Sequence, residues 1–176
     1  MGFLFHLWGA ILGLWIHIGT RIFPPTIHPM VVHFPIVLLY LSLLTAILSW
    51  LWPVPDRFFD RASFWLLVLG LLAGIVAAAM GVVSEHFVHW TATTDALLSA
   101  HQRDAVLTGF FGLASLALRL LARYPRASGA GWSFAHTQRG RQTLLSFVLL
   151  IGAVALVTLT ASIGGTMVYQ YGVGVH

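Results

Sequence analysis

The stretch SFWLLVLGLLAGIVAAAMGVV, residues 63–83, carries no charged side chain. A helix needs roughly 20 mainly apolar residues to cross the hydrocarbon of a bilayer, and this run supplies them. Working outward, four more apolar segments stand out: Gly2 to Phe23, Pro29 to Trp52, Asp104 to Ala122 and Thr143 to Gly172. The central one extends from Ser63 to Trp90. Pro24-Pro25, Pro53-Val54-Pro55-Asp56 and Pro125 separate the segments, because proline lacks a backbone donor and clashes with the preceding turn. The polar, glycine-bearing region from Pro125 to Gln142 reads as a loop.

Composition agrees with this. The chain has 176 residues, 59% hydrophobic and 8% charged, against about 25% charged in a soluble domain. The expected fold class is all-α: an integral membrane four-helix bundle over residues 28–176, with an additional N-terminal transmembrane or interfacial helix over 1–23. No basic n-region precedes the first segment and no small-x-small site follows it before Arg21, so it reads as retained rather than as a signal peptide. Its Gly2, His6, Gly9, Gly13, His17 and Thr20 form one small or polar stripe, which lets another helix approach.

The net charge of +4 comes from nine basic residues against five acidic ones, and all nine are arginines. Most lie in two loops beside the spans, a distribution that speaks for membrane topology rather than a nucleic-acid partner. Arg57, Arg61, Arg119, Arg123, Arg126, Arg139 and Arg141 share one side, while Arg21 and Arg103 share the other. The positive-inside rule then places the N-terminus in the cytoplasm and the C-terminus outside a bacterial inner membrane. The absence of cysteine excludes disulfides, iron–sulfur clusters and covalent haem attachment.

On that topology His17, His28, His33, His86, His89, His101 and His176 gather at the outer face with Glu85, Asp95 and Asp104; His6 and His136 lie opposite. Ionisable groups at the membrane edge are functional candidates, although an interfacial histidine is also a common amphipathic anchor. His33 is set among apolar neighbours and, once buried, needs a partner. His101, Asp104, Thr108, Gly112, Ser115 and Arg119 recur at helical spacing, as do Gly70, Gly74, Ala77, Gly81 and Ser84. Such small faces serve close helix packing, and they also leave room for a flat macrocycle.

The motif HPMVVHFPI, residues 28–36, and the closing GGTMVYQYGVGV, residues 164–175, resemble those of the DUF2231 family of bacterial membrane proteins. His101 matches the histidine ahead of that family's third helix. The resemblance covers residues 28–176 and implies a four-helix bundle. It also implies a redox role, since relatives occur joined to cytochrome c modules.

Two neutral imidazoles from different helices suit the axial positions of a non-covalently bound haem b. The expected ligands are His33 and His101, with His28 and His86 as substitutes and Asp104 holding the far nitrogen of His101. The leading expectation is therefore a b-type cytochrome-like electron carrier whose redox partner is a cytochrome c or a quinone. One alternative is a non-catalytic subunit of a larger respiratory or photosynthetic complex. Another is a zinc, copper or iron site built from His86, His89, His101 and Glu85. A stand-alone enzyme is the less expected outcome.

Overall fold

The computed structural model describes residues 2–52, 56–123 and 134–174, with the side chains of Phe3 and of residues 134–143 excluded. His136, His176, Arg126 and Pro53-Val54-Pro55 fall outside the described side chains, as does most of the expected loop from Pro125 onward. Every regular element among the described residues is helical: α1 (Gly2–Ile22), α2 (Ile27–Val31), α3 (His33–Leu51), α4 (Phe58–Glu85), α5 (Ala92–Arg123) and α6 (Phe134–Tyr169). Four spans are long and apolar enough to cross a membrane: α2 with α3, α4, α5, and Leu144–Tyr169 of α6.

These spans run up and down as two antiparallel hairpins. α3 packs chiefly on α4 and α5 on α6, and α3–α6 and α4–α5 contacts close the ring. The interior is small and hydroxylated where a soluble core would be large and apolar. Ser42, Ser63, Gly70, Ala77, Gly112, Ser115 and Ala153 are buried, whereas Leu69, Leu72, Ile75, Val106, Phe110, Leu113 and Val148 point outward. Lipid tails are as apolar as leucine, so close backbone approach and interhelical hydrogen bonds drive association instead. Ser42 Oγ donates to the Ser63 carbonyl and Ser63 Oγ to the Ser42 carbonyl, each at 2.8 Å. Ser115 Oγ donates to the Ser146 carbonyl at 2.7 Å, tying the second hairpin. Leu39, Leu67, Leu150, Val154 and Val157 fill the middle.

Local chemistry sets several boundaries. Pro35 cannot donate to the Val31 carbonyl, and the helix is interrupted at Val32 between α2 and α3. α5 begins twelve residues before the expected Asp104, because Thr91 and Thr94 cap it reciprocally. The Thr91 amide donates to Thr94 Oγ1 at 2.9 Å and the Thr94 amide to Thr91 Oγ1 at 3.3 Å. α6 likewise starts inside the expected loop, at Phe134. It ends as its glycines suggest: Gly172 and Gly174 have φ of 64° and 75°, and the Val173 amide reaches back to the Met167 carbonyl at 2.9 Å.

α1 touches the described chain only through α4. Trp15 Nε1 donates to the Ala79 carbonyl at 3.0 Å, and Gly19 lies against Val83. Gly9 and Gly13 of the predicted stripe face open space.

Eighteen residues separate Ser63 from Gly81, Arg119 from His101, and Ser146 from Gly164. Five turns of an α-helix are eighteen residues, so each pair shares a face about 27 Å apart, close to the thickness of the hydrocarbon. One end of the bundle is thus set by histidines and glycines, the other by arginine and serines.

Candidate functional site

At the histidine end the same arrangement occurs twice. His28, from α2, lies against Gly81 of α4, where an added Cβ would sit 3.2 Å from Nδ1. Its Nδ1 is 2.8 Å from the carbonyl of Ala77, four residues before that glycine. His101, from α5, lies against Gly164 of α6, where a Cβ would sit 3.3 Å from Cε1. Its Nδ1 is 2.9 Å from the carbonyl of Thr160, again four residues before the glycine. A missing side chain at position i opens the path to the carbonyl at i−4, which the helix already uses for its own amide. The His28 amide is also held, donating to Ser84 Oγ at 3.3 Å.

A carbonyl can only accept, so each Nδ1 carries a proton and donates it. In the neutral ring this leaves Nε2 with the free lone pair. The two rings meet with centroids 5.9 Å apart and planes at 81°. Two part-buried imidazoles from separate helices therefore face one another, each fixed in tautomer by a backbone acceptor.

The pair is not the one expected first. His101 meets His28, the expected substitute, while His33 is exposed at the start of α3. Five residues of helix turn a side chain by about 140°, so with His28 turned toward α4 the ring of His33 points away. Asp104 does not hold His101. The Thr160 carbonyl fills that role, and the buried Asp104 carboxylate accepts instead from Arg103 Nε at 2.9 Å. His86 and His89 are exposed past the end of α4, and Glu85 accepts from Gln102 Nε2 at 2.8 Å. Among the described residues no group of three or more histidine or carboxylate side chains is placed to hold a metal, so His86, His89, His101 and Glu85 are not assembled.

The sequence model of the family described as "Predicted membrane protein (DUF2231)" matches residues 24–176, spanning α2 to α6 and both histidines of the pair. The chain belongs to the DUF2231 family. The match to DUF2231 begins two residues after α1 ends. No curated protein matches the chain, and no solved structure does.

This DUF2231 protein also has a polar assembly that sequence reading missed. Arg119 of α5 crosses to both hairpins: Nε donates to Ser146 Oγ at 2.9 Å, and one terminal nitrogen donates to Ser63 Oγ at 2.8 Å. Arg123, one turn on, donates to Asp60 Oδ2 at 2.7 Å and stacks over Phe64, its guanidinium carbon 4.2 Å from the ring centre. In sequence these arginines register as topology signals, and Arg119 also as the last member of the polar stripe that begins at His101. The spacing of Ser63, Arg119 and Ser146 from the histidine-end residues was the available clue.

Proposed function

We propose that this DUF2231 protein is a membrane electron-transfer protein that holds a b-type haem between His28 and His101. The observation that carries the reading is the imidazole pair itself. The two rings come from separate helices with centroids 5.9 Å apart, and with Nδ1 committed to a carbonyl in each, Nε2 is the nitrogen that would bind the iron. Haem asks the protein for only two ligands, whereas a structural or catalytic zinc site asks for three or four. A metal-ligating histidine typically donates its other ring nitrogen to a carbonyl or carboxylate, as both members of this pair do.

When bound, haem supplies reversible one-electron chemistry. The chain's own part is to fix both imidazole orientations through Ala77 and Thr160 and to surround them with apolar helix. The seven-to-two division of arginines supports an extracytoplasmic histidine end in a bacterial inner membrane, within reach of a cytochrome c or a quinone. A second reading draws on α1, which among the described elements contacts only α4 and leaves Gly9 and Gly13 uncovered: a non-catalytic subunit docking into a larger complex.

The test is a visible spectrum of protein purified in mild detergent and reconstituted with hemin. The expected result is a Soret band with low-spin α and β bands. His28→Ala or His101→Ala converts it to a high-spin form or removes it, and His33→Ala leaves it intact. No Soret band in the wild type sinks the cytochrome reading and leaves the subunit reading in its place. Loss on His33→Ala alone sinks the ligand assignment.

A further inference from the structure

We propose that the arginine end of the bundle binds a phosphate group. A cavity of about 70 Å³ opens there between α3, α4, α5 and α6. Its polar lining is Ser49, Arg57, Asp60, Ser63, Arg119 and Arg123. Trp50 and Phe147, stacked with centroids 5.0 Å apart, complete one wall.

The charges do not balance. Three guanidinium groups face one carboxylate, and Asp60 Oδ2 already accepts from Arg57 at 3.1 Å and from Arg123 at 2.7 Å. The partners of Arg119 are neutral serine hydroxyls. Nη1 of Arg123 is buried without a hydrogen-bond partner among the described residues. With Arg57 largely exposed, Arg119 and Arg123 still leave part-buried positive charge in excess of Asp60 next to hydrocarbon, which is costly, and an unmade hydrogen bond to a charged donor adds to the cost. Water can satisfy the donor but leaves the charge. An anion satisfies both.

Size and donor geometry narrow the class. The cavity holds a group of a few heavy atoms, and converging guanidinium groups match the several oxygens of a tetrahedral phosphate better than a single planar carboxylate does. The level in the membrane points the same way. The cavity lies about five helical turns from the histidine end, at the depth where tryptophan gathers and where lipid phosphates sit. Arg57 stands at the rim with φ of 55°, the one left-handed non-glycine residue described, and 65% of its side chain is exposed. It can therefore close over a ligand without repacking the core. The ligand is either the phosphodiester of an anionic lipid headgroup or a soluble phosphate or phosphomonoester; both present the same oxygens.

The experiment uses the full chain, delipidated in mild detergent and titrated separately with inorganic phosphate and with short-chain phosphatidylglycerol. Native mass spectrometry gives stoichiometry and calorimetry gives Kd. One equivalent of at least one probe is expected to bind. Arg57→Gln and Arg123→Gln should each weaken Kd at least tenfold, the factor for losing one charge-assisted hydrogen bond. Arg61→Gln, exposed at the same end but outside the lining, should bind as wild type. Phosphate binding alone identifies a soluble ligand; lipid binding that phosphate competes away identifies a headgroup. Should Arg123→Gln lose its helical circular dichroism, Arg57→Gln, which gives up only an exposed ion pair, decides the matter. The proposal is overturned if neither probe binds with a Kd of about 1 mM or tighter, or if Arg57→Gln binds like the wild type.

Discussion

Replacing Gly164 with alanine isolates the contact that seats His101. A Cβ there would lie 3.3 Å from Cε1 of the ring, closer than side chains ordinarily pack, and in ordinary contact with Nδ1 at 3.5 Å. The ring can retreat by a few tenths of an ångström, which stretches the 2.9 Å bond to the Thr160 carbonyl, or it can stay and bear the crowding. Losing the bond costs about 0.5–1.5 kcal/mol and overpacking about 1–3 kcal/mol. The site takes the cheaper course, so the penalty is capped at about 0.5–1.5 kcal/mol. Against it stands the helix-propensity gain of glycine to alanine, about 1 kcal/mol. Gly74→Ala provides the reference, since a Cβ there meets nothing within 4 Å and only the propensity gain applies. The expected order is Gly74→Ala above Gly164→Ala by about 0.5–1.5 kcal/mol in equilibrium unfolding with a denaturing detergent. Gly81→Ala, whose Cβ would meet His28 Nδ1 at 3.2 Å, should fall with Gly164→Ala. Equal stability of all three, with unchanged imidazole N–H resonances in NMR, would refute the cradle.

Two further outcomes follow from the polar ties and the arginine count. Ser63→Ala should destabilise more than Ser42→Ala, by about 1 kcal/mol or more, because it also strips an acceptor from the part-buried Arg119; equal losses in the same unfolding assay would show that Arg119 finds another partner at no cost. Single cysteines at Ser128 and Asp95, labelled in intact cells with an impermeant reagent, should react at Asp95 and stay silent at Ser128; the reverse pattern would invert the topology.

The spans were legible because hydropathy and proline are local signals, and lipid demands little else of an outward face. The start of α5 was not, since residues 92–103 are too polar to read as membrane helix and only the Thr91–Thr94 cap reveals where the turn begins. The histidine concentration at one end was visible, but the choice between His28 and His33 depends on how α2 is rotated against α4, a tertiary fact. The stripe containing Ala77, Gly81 and Ser84 lies against His28, which contacts all three. Of its glycines, Gly81 is covered by the imidazole of His28 and Gly70 by Leu38 and Leu39, while Gly74 meets nothing within 4 Å. The arginine assembly was hidden by an adequate simpler explanation. Arg57, Arg119 and Arg123 satisfied the topology rule, and nothing in one sequence says that three of seven loop-side arginines converge.

The apolar layer of Leu39, Leu67, Leu150, Val154 and Val157 has an electrical consequence. A transmembrane voltage falls mainly across dry, low-dielectric material, and carrying one elementary charge through 100 mV takes about 2.3 kcal/mol. Among the described residues no ionisable side chain belongs to this layer, so the bundle acts there as an insulator between its two polar ends. A charge that enters and leaves at one polar end stays on one side of that layer.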